Sequence, residues 1–150
     1  MKSLFNTEAY EEIASRLSAL SEESERQWGK MEVGQMLYHC QFPLKIALKK
    51  EPSKGKPNPM LKLMGFFFKK SLYDDKPWRH GLPTAKGLKV VEEKDIDKER
   101  EVLLDLVKDF HEERTRESWN PHPVFGTFTN EQWGQMQYKH LDHHLRQFGV

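Results

Sequence analysis

The chain has one cysteine, almost no surplus of either charge, no long apolar run and no stretch of alternating apolar and polar residues with strand composition. Each absence excludes something. A lone cysteine, Cys40, rules out an intramolecular disulfide framework and is compatible with a reducing compartment, so the cytoplasm is the expected location. Lys plus Arg number 24 against 23 for Asp plus Glu, and the net charge of +1 gives no field that would draw nucleic acid or an anionic membrane. The most apolar window, LMGFFF at 63–68, is far short of the ~20 residues a membrane-spanning helix needs. The N-terminal MKSLFNTEAYEEI turns acidic before any apolar run, so no signal segment is expected. With no strand-like pattern, an all-α fold is expected, and 150 residues suit a single domain over 1–150.

What is present is helical periodicity. Tyr10, Ile13, Ala14, Leu17 and Leu20 recur at three- and four-residue steps, with Thr7 placed to cap and Glu8 in the first turn. Val33, Met36, Leu37, Cys40, Leu44, Ala47 and Leu48 share one broad face of a second helix, despite Gly34 and Pro43. Pro43 has no N–H to give the carbonyl of His39, so a bend is expected within a turn of that histidine. EPSKGKPNP at 51–59 reads as a loop, and MLKLMGFFFKKSLY as a short amphipathic helix. A long crossover follows, residues 74–96, expected to order on the surface near any site. Asp97 is placed to cap a third long helix carrying Leu103, Leu106, Val107 and Phe110. HPVFG makes a turn, Thr129 with Gln132 forms a capping box, and Gly149 stops the last helix. The expected architecture is a four-helix bundle with the long crossover between helices two and three.

The last helix carries the chemistry. On a wheel of about 100° per residue, Trp133, Met136, Leu141, Leu145 and Phe148 share one half, and His140 and His144 fall within it. Glu131, Gln135, Lys139, Asp142 and Arg146 fill the other half, with His143 at the border. Four residues apart, His140 and His144 stack one turn above each other, where both can reach one ion at about 2.1 Å. His39 faces inward on the second helix. Three nitrogen ligands on two helices suit a divalent transition metal, Zn or Ni foremost with Fe and Mn also compatible, and leave a position for water or substrate. Hydrogen-bonded core histidines are the rival explanation: 7 histidines in 150 residues give about 0.3 such pairs by chance.

WGKMEVGQMLYHCQ together with HPVFGTFTNEQWGQMQYKHLDHHLRQFGV resembles the DinB-like superfamily of metal-binding four-helix proteins, and most closely a branch known only as a domain of unknown function. The resemblance covers nearly the whole chain and is strongest at 28–41 and 122–150. It implies metal ligands at His39, His140 and His144. Characterised relatives include S-transferases that use bacillithiol or mycothiol and a mycothiol-dependent isomerase, so the resemblance also implies a low-molecular-weight thiol and a small-molecule substrate.

Other marked residues have plainer explanations beside the functional ones. His122, His143 and Trp133 are secondary candidates for the pocket; a turn-holding role suits His122, and a solvated or supporting role suits His143. His111 fits a helix C-terminus, His80 reaches the pocket only if the crossover folds over it, and Cys40 reads as an inert buried thiol. Three consecutive Phe, 66–68, cannot all face one way, so at least one is expected to meet another element or subunit. HLDHH is not the HExxH of zinc peptidases, because Asp142 faces the solvent half. Two functions remain: a metal-dependent transferase or hydrolase, and a non-catalytic metal- or ligand-binding bundle, a homodimer in one form.

Overall fold

The structure, a computed structural model, describes residues 1–50, 59–81 and 89–150, with backbone alone at 59–62 and 64. The loop expected at 51–59 therefore lies outside the described residues except at Pro59, as does the middle of the crossover. Among the described residues five α-helices follow one another: α1 (Thr7–Ser18), α2 (Val33–Ala47), α3 (Pro59–Phe68), α4 (Ile96–Glu112) and α5 (Asn130–Gln147). Single turns of 3₁₀-helix extend α3 over Lys69–Leu72 and α4 over Glu113–Thr115. Among the described residues there is no strand, only an isolated bridge between His122 and Gly126. The all-α expectation holds.

α1 meets α4 and α5, and α2 meets the same two, so the four long helices close a ring of contacts around one core. Ile13 and Leu17 of α1, Met36, Leu37 and Leu44 of α2, Leu103, Val107 and Phe110 of α4, and Leu141 and Leu145 of α5 are buried there. These are the stripes that the sequence periodicity marks. No helix among the described residues is long and apolar enough to cross a membrane.

The helix starts differ in detail from the sequence reading. The N-cap position of α1 is the extended Asn6, whose side chain makes no capping bond, and Thr7 is the first helical residue. α4 begins two residues early: Asp95 accepts a hydrogen bond from the Lys98 N–H at 2.8 Å, and Asp97 sits in the first turn paired with Arg100. Either aspartate can cap, and packing selects Asp95, because that start brings Glu99 against Gln41 of α2, whose Nε2 donates to its carboxylate at 2.6 Å. The capping box of α5 forms as expected, with Thr129 Oγ1 accepting from Gln132 N–H at 3.2 Å and Gln132 Oε1 accepting from Thr129 N–H at 3.0 Å. Gly149 ends the helix in the left-handed region, φ 75°.

Three further features add to the sequence reading. His111 lies in the last turn of α4 as expected and is buried there; its Nδ1–H donates to the Leu4 carbonyl at 2.6 Å and its ring stacks on Tyr10, so it also anchors the N-terminal segment. Phe66, Phe67 and Phe68 are all exposed, at 74, 73 and 57%. α3 meets the 122–126 turn through Gly65, where a Cβ would strike Val124 and Phe125, and the glycine rather than a phenylalanine makes the contact. Asp142 is half-buried, not solvated, bridging Arg16 of α1 at 2.8 Å and Arg146 at 3.0 Å.

Gly34 explains itself: a Cβ there would collide with the backbone carbonyl of Lys94, just before α4. Gly34 is the second residue of α2, where alanine gains at most about 1 kcal/mol over glycine in propensity, whereas overpacking against backbone costs about 1–3 kcal/mol. Gly34→Ala is expected to lower the thermal midpoint; an unchanged or raised midpoint would show that the α2–α4 approach is looser than described.

Candidate metal centre

His39 sits mid-way along α2, and His140 and His144 sit one turn apart on α5. The structure brings one ring nitrogen of each to within 4.8 Å of the others. His39 and His144 are buried, at 7 and 8% exposure, and His140 is slightly more open. The Nε2 atoms of His39 and His140 face each other at 3.3 Å. A tetrahedral ion with bonds of about 2.1 Å separates its nitrogens by about 3.4 Å, so the first pair is already at ligand spacing and a small closure brings in the third. The three nitrogens are thus close enough to hold one metal ion.

The interior keeps the two α5 rings neutral. Burial, and then the neighbouring His144 and His39, holds His140 well below the ordinary imidazole range. Burial and the adjacent His39 push His144 down to about 3. Neutral imidazoles have lone pairs to offer, and the partner of the second nitrogen decides which atom offers it. Gln147 makes that choice for His144. Its Nε2 donates to the Trp28 carbonyl at 2.7 Å, so its Oε1 is the acceptor for His144 Nδ1–H at 2.9 Å. His144 is left with a bare Nε2.

α5 is set against α2 by a second glutamine, Gln137, whose Nε2 donates to the Pro43 carbonyl at 3.0 Å. Pro43 lies inside α2, one turn beyond His39, and the helix continues through it to Ala47.

The start of the crossover covers the site. Lys139, placed by the wheel on the solvent half, is buried because its ammonium donates to the Ser71 and Asp74 carbonyls at 2.7 and 2.9 Å and to the Asp74 carboxylate at 2.6 Å. That bond holds the Asp74 carboxyl below its usual range. Trp78, pinned by its Nε1–H to the Ser71 carbonyl at 2.8 Å, lies 6.0 Å from the His140 ring and 5.5 Å from His143. His80 stacks flat on Trp28 at 3.8 Å. With His143 the rings of Trp28, Trp78 and His80 line a cavity of about 80 Å³, which also reaches Lys139, Asp142 and Arg146 and which none of the three histidines lines.

His143 is half-buried on this cavity wall, its pKa lowered by burial and then by His80. His122 and Trp133 belong to a different cluster. His122 Nδ1 accepts from the Val124 and Phe125 N–H groups at 3.1 and 3.3 Å, which closes the turn. Trp133 is buried among Trp119, Phe128 and His122, toward the start of α5. Cys40 is buried, and desolvation raises its thiol pKa, which leaves it unreactive. Gln137, Gln147, Lys139, Trp28 and Trp78 are the contributors that sequence reasoning missed. The two glutamines were findable, because 133, 137, 140, 144 and 147 continue one stripe at steps of four and three.

Burial also pushes His122 down to about 4, whereas its unfolded value is the ordinary 6.5. Between those values the unfolded chain binds the extra proton, so stability rises with pH in this window and is lost as pH falls below about 6.5. His122→Asn keeps an acceptor for the two N–H groups and removes the titration. Metal-free protein carrying it is expected to lose less stability than the parent between pH 6.5 and 4.5 in urea unfolding; equal losses would remove His122 from the account.

The match to a family model runs over residues 2–149, nearly the full chain, and that family is described as "Protein of unknown function (DUF1569)". Comparison with curated proteins finds no match. Comparison with solved structures likewise finds none. A chain whose whole length fits that one model, with a buried three-histidine cluster inside it, belongs to the DUF1569 family of proteins of unknown function.

Proposed function

We propose that the three histidines hold a divalent transition metal and that the protein is a metal-dependent enzyme acting on a small molecule, with thiol-dependent transferase-like or hydrolase-like chemistry. One observation carries this reading: three buried imidazoles from two helices offer nitrogens within 4.8 Å of one another. Gln147 accepts from the Nδ1–H of His144, which leaves the Nε2 of that ring as the unprotonated nitrogen. The set fits Zn or Ni, and the same ligands accept Fe or Mn. The closed ring of four long helices and the DinB-like resemblance support a four-helix-bundle site of that type.

When bound, such an ion supplies a Lewis acid whose open position lowers the pKa of a thiol or of water. The chain's own residues define the approach. Trp28, Trp78, His80 and His143 wall a small cavity, and Trp78 links it to the site through its approach to the His140 ring at 6.0 Å. Asp142 is tied to Arg16 and Arg146, which leaves it no role as a general base. A second reading, a homodimeric bundle that binds metal or an apolar ligand without turnover, draws on the exposed Phe66, Phe67 and Phe68.

His39→Ala, His140→Ala and His144→Ala are each expected to cut bound divalent metal about tenfold or more, measured by elemental analysis after equilibration with zinc, and His143→Ala is expected to keep most of it. Cobalt-substituted parent protein is expected to show a thiolate charge-transfer band on addition of a small thiol. Parent-like metal content in the His140 and His144 variants would sink the site, and absence of any thiol or substrate perturbation would favour the non-catalytic reading.

A further inference from the structure

Three buried polar atoms on α5 have no hydrogen-bond partner among the described residues: Trp133 Nε1, Gln137 Oε1 and His140 Nδ1. They lie on one stripe of the helix, four and then three residues apart, so each is about one turn from the next. A buried unpaired polar group costs about 1–3 kcal/mol, and three in a row on the helix that carries two of the histidines call for a common explanation.

The chemistry of the middle residue is fixed. Gln137 is fully buried, and its Nε2 donates to the Pro43 carbonyl. A flipped amide would set two carbonyl oxygens against each other, so the open atom is the oxygen, an acceptor with two lone pairs. The chemistry of His140 depends on occupancy. A neutral imidazole has a single N–H. While His140 Nε2 faces His39 Nε2 at 3.3 Å, one of these two atoms holds a proton between them. An ion bound at that position takes both Nε2 lone pairs, and the single proton of His140 must then sit on Nδ1, which becomes a donor in a buried place. Trp133 Nε1–H is a donor in every state.

Given a metal at the three histidines, we propose that Gln137 is a positioning residue for it: its Oε1 accepts the Nδ1–H of His140 in the metal-bound state and fixes the tautomer that presents Nε2 to the ion. The arrangement repeats that of Gln147. Gln147 lies three residues after His144, with its nitrogen on the Trp28 carbonyl and its oxygen on Nδ1. Gln137 lies three residues before His140, with its nitrogen on the Pro43 carbonyl and its oxygen open. The two amides bracket the pair, each anchored through its nitrogen to a carbonyl outside α5. The second lone pair of Gln137 is available to Trp133, which ties this otherwise remote tryptophan to the same stripe.

The test compares Gln137→Leu, which removes the acceptor at similar volume, with Gln137→Asn, which keeps both amide groups on a shorter arm. Zinc affinity is read by competition with a chromophoric chelator, and folding by circular dichroism. The Leu variant is expected to bind zinc about 10–100-fold more weakly than the parent, and the Asn variant, though smaller, to bind more tightly than the Leu variant, which a purely packing role would not produce. The parent itself gives an arm independent of any variant's folding. In zinc-loaded, ¹⁵N-histidine-labelled protein the His140 Nδ1–H is expected as a slowly exchanging resonance with an Overhauser contact to the Gln137 side chain. A folded Leu variant that binds zinc as the parent does, or a His140 Nδ1–H exchanging as fast as a solvent-exposed imidazole, overturns the role of Gln137 alone. A parent that binds no zinc overturns the metal site and this assignment together.

Discussion

Three imidazoles with nitrogens inside 4.8 Å of one another, in a nearly dry interior, cannot be charged together, and much of the site's architecture follows from keeping them neutral. Burial supplies the larger part of that constraint and mutual repulsion the rest. Neutral rings still need their nitrogens placed, because an imidazole that offers the wrong atom is no ligand. The outer contacts of α5 meet that need: Gln147 fixes His144 from below, and Gln137, braced on Pro43, stands a turn above His140. The bracing reaches both neighbouring elements, α2 through Pro43 and the loop before it through Trp28.

The cover over the site depends on a buried lysine. Lys139 satisfies all three of its N–H donors, two on carbonyls and one on the Asp74 carboxylate, and in doing so it draws the first part of the crossover onto α5. A lysine with this degree of burial is tolerable only when fully paired. The consequence is functional in placement: Ser71, held by Lys139, in turn holds Trp78, whose ring reaches His140. The crossover is therefore part of the site's wall, joined by the Trp28 and His80 stack that links it to the segment before α2.

Much of this was legible in the sequence, for physical reasons specific to each residue. The inward direction of His39, His140 and His144 follows from helical period alone, and the structure brings the three together. The capping box at Thr129 was legible because its signal is local, two side chains and two N–H groups within four residues. The start of α4 was not, because Asp95 and Asp97 are equally good caps and the choice between them is made by Glu99 and Gln41 across an interface. Lys139 misled for a related reason: a wheel assigns polarity by residue type, and only the fold shows three acceptors arriving from 68 and 65 residues away. Non-local partners were out of reach likewise: the bond of His111 to the N-terminal segment and the approach of Gly65 to the 122–126 turn leave no local signal.

The central claim is that the three histidines converge on one ion. X-ray absorption at the metal edge of zinc-loaded protein tests it most directly, because it counts the scatterers around the ion without reference to activity. The account predicts one tightly bound zinc per chain with a nitrogen shell at about 2.0–2.1 Å and the multiple-scattering pattern of three imidazoles. A shell of oxygens alone, fewer than two imidazoles, or a protein that returns from dialysis without zinc would contradict it.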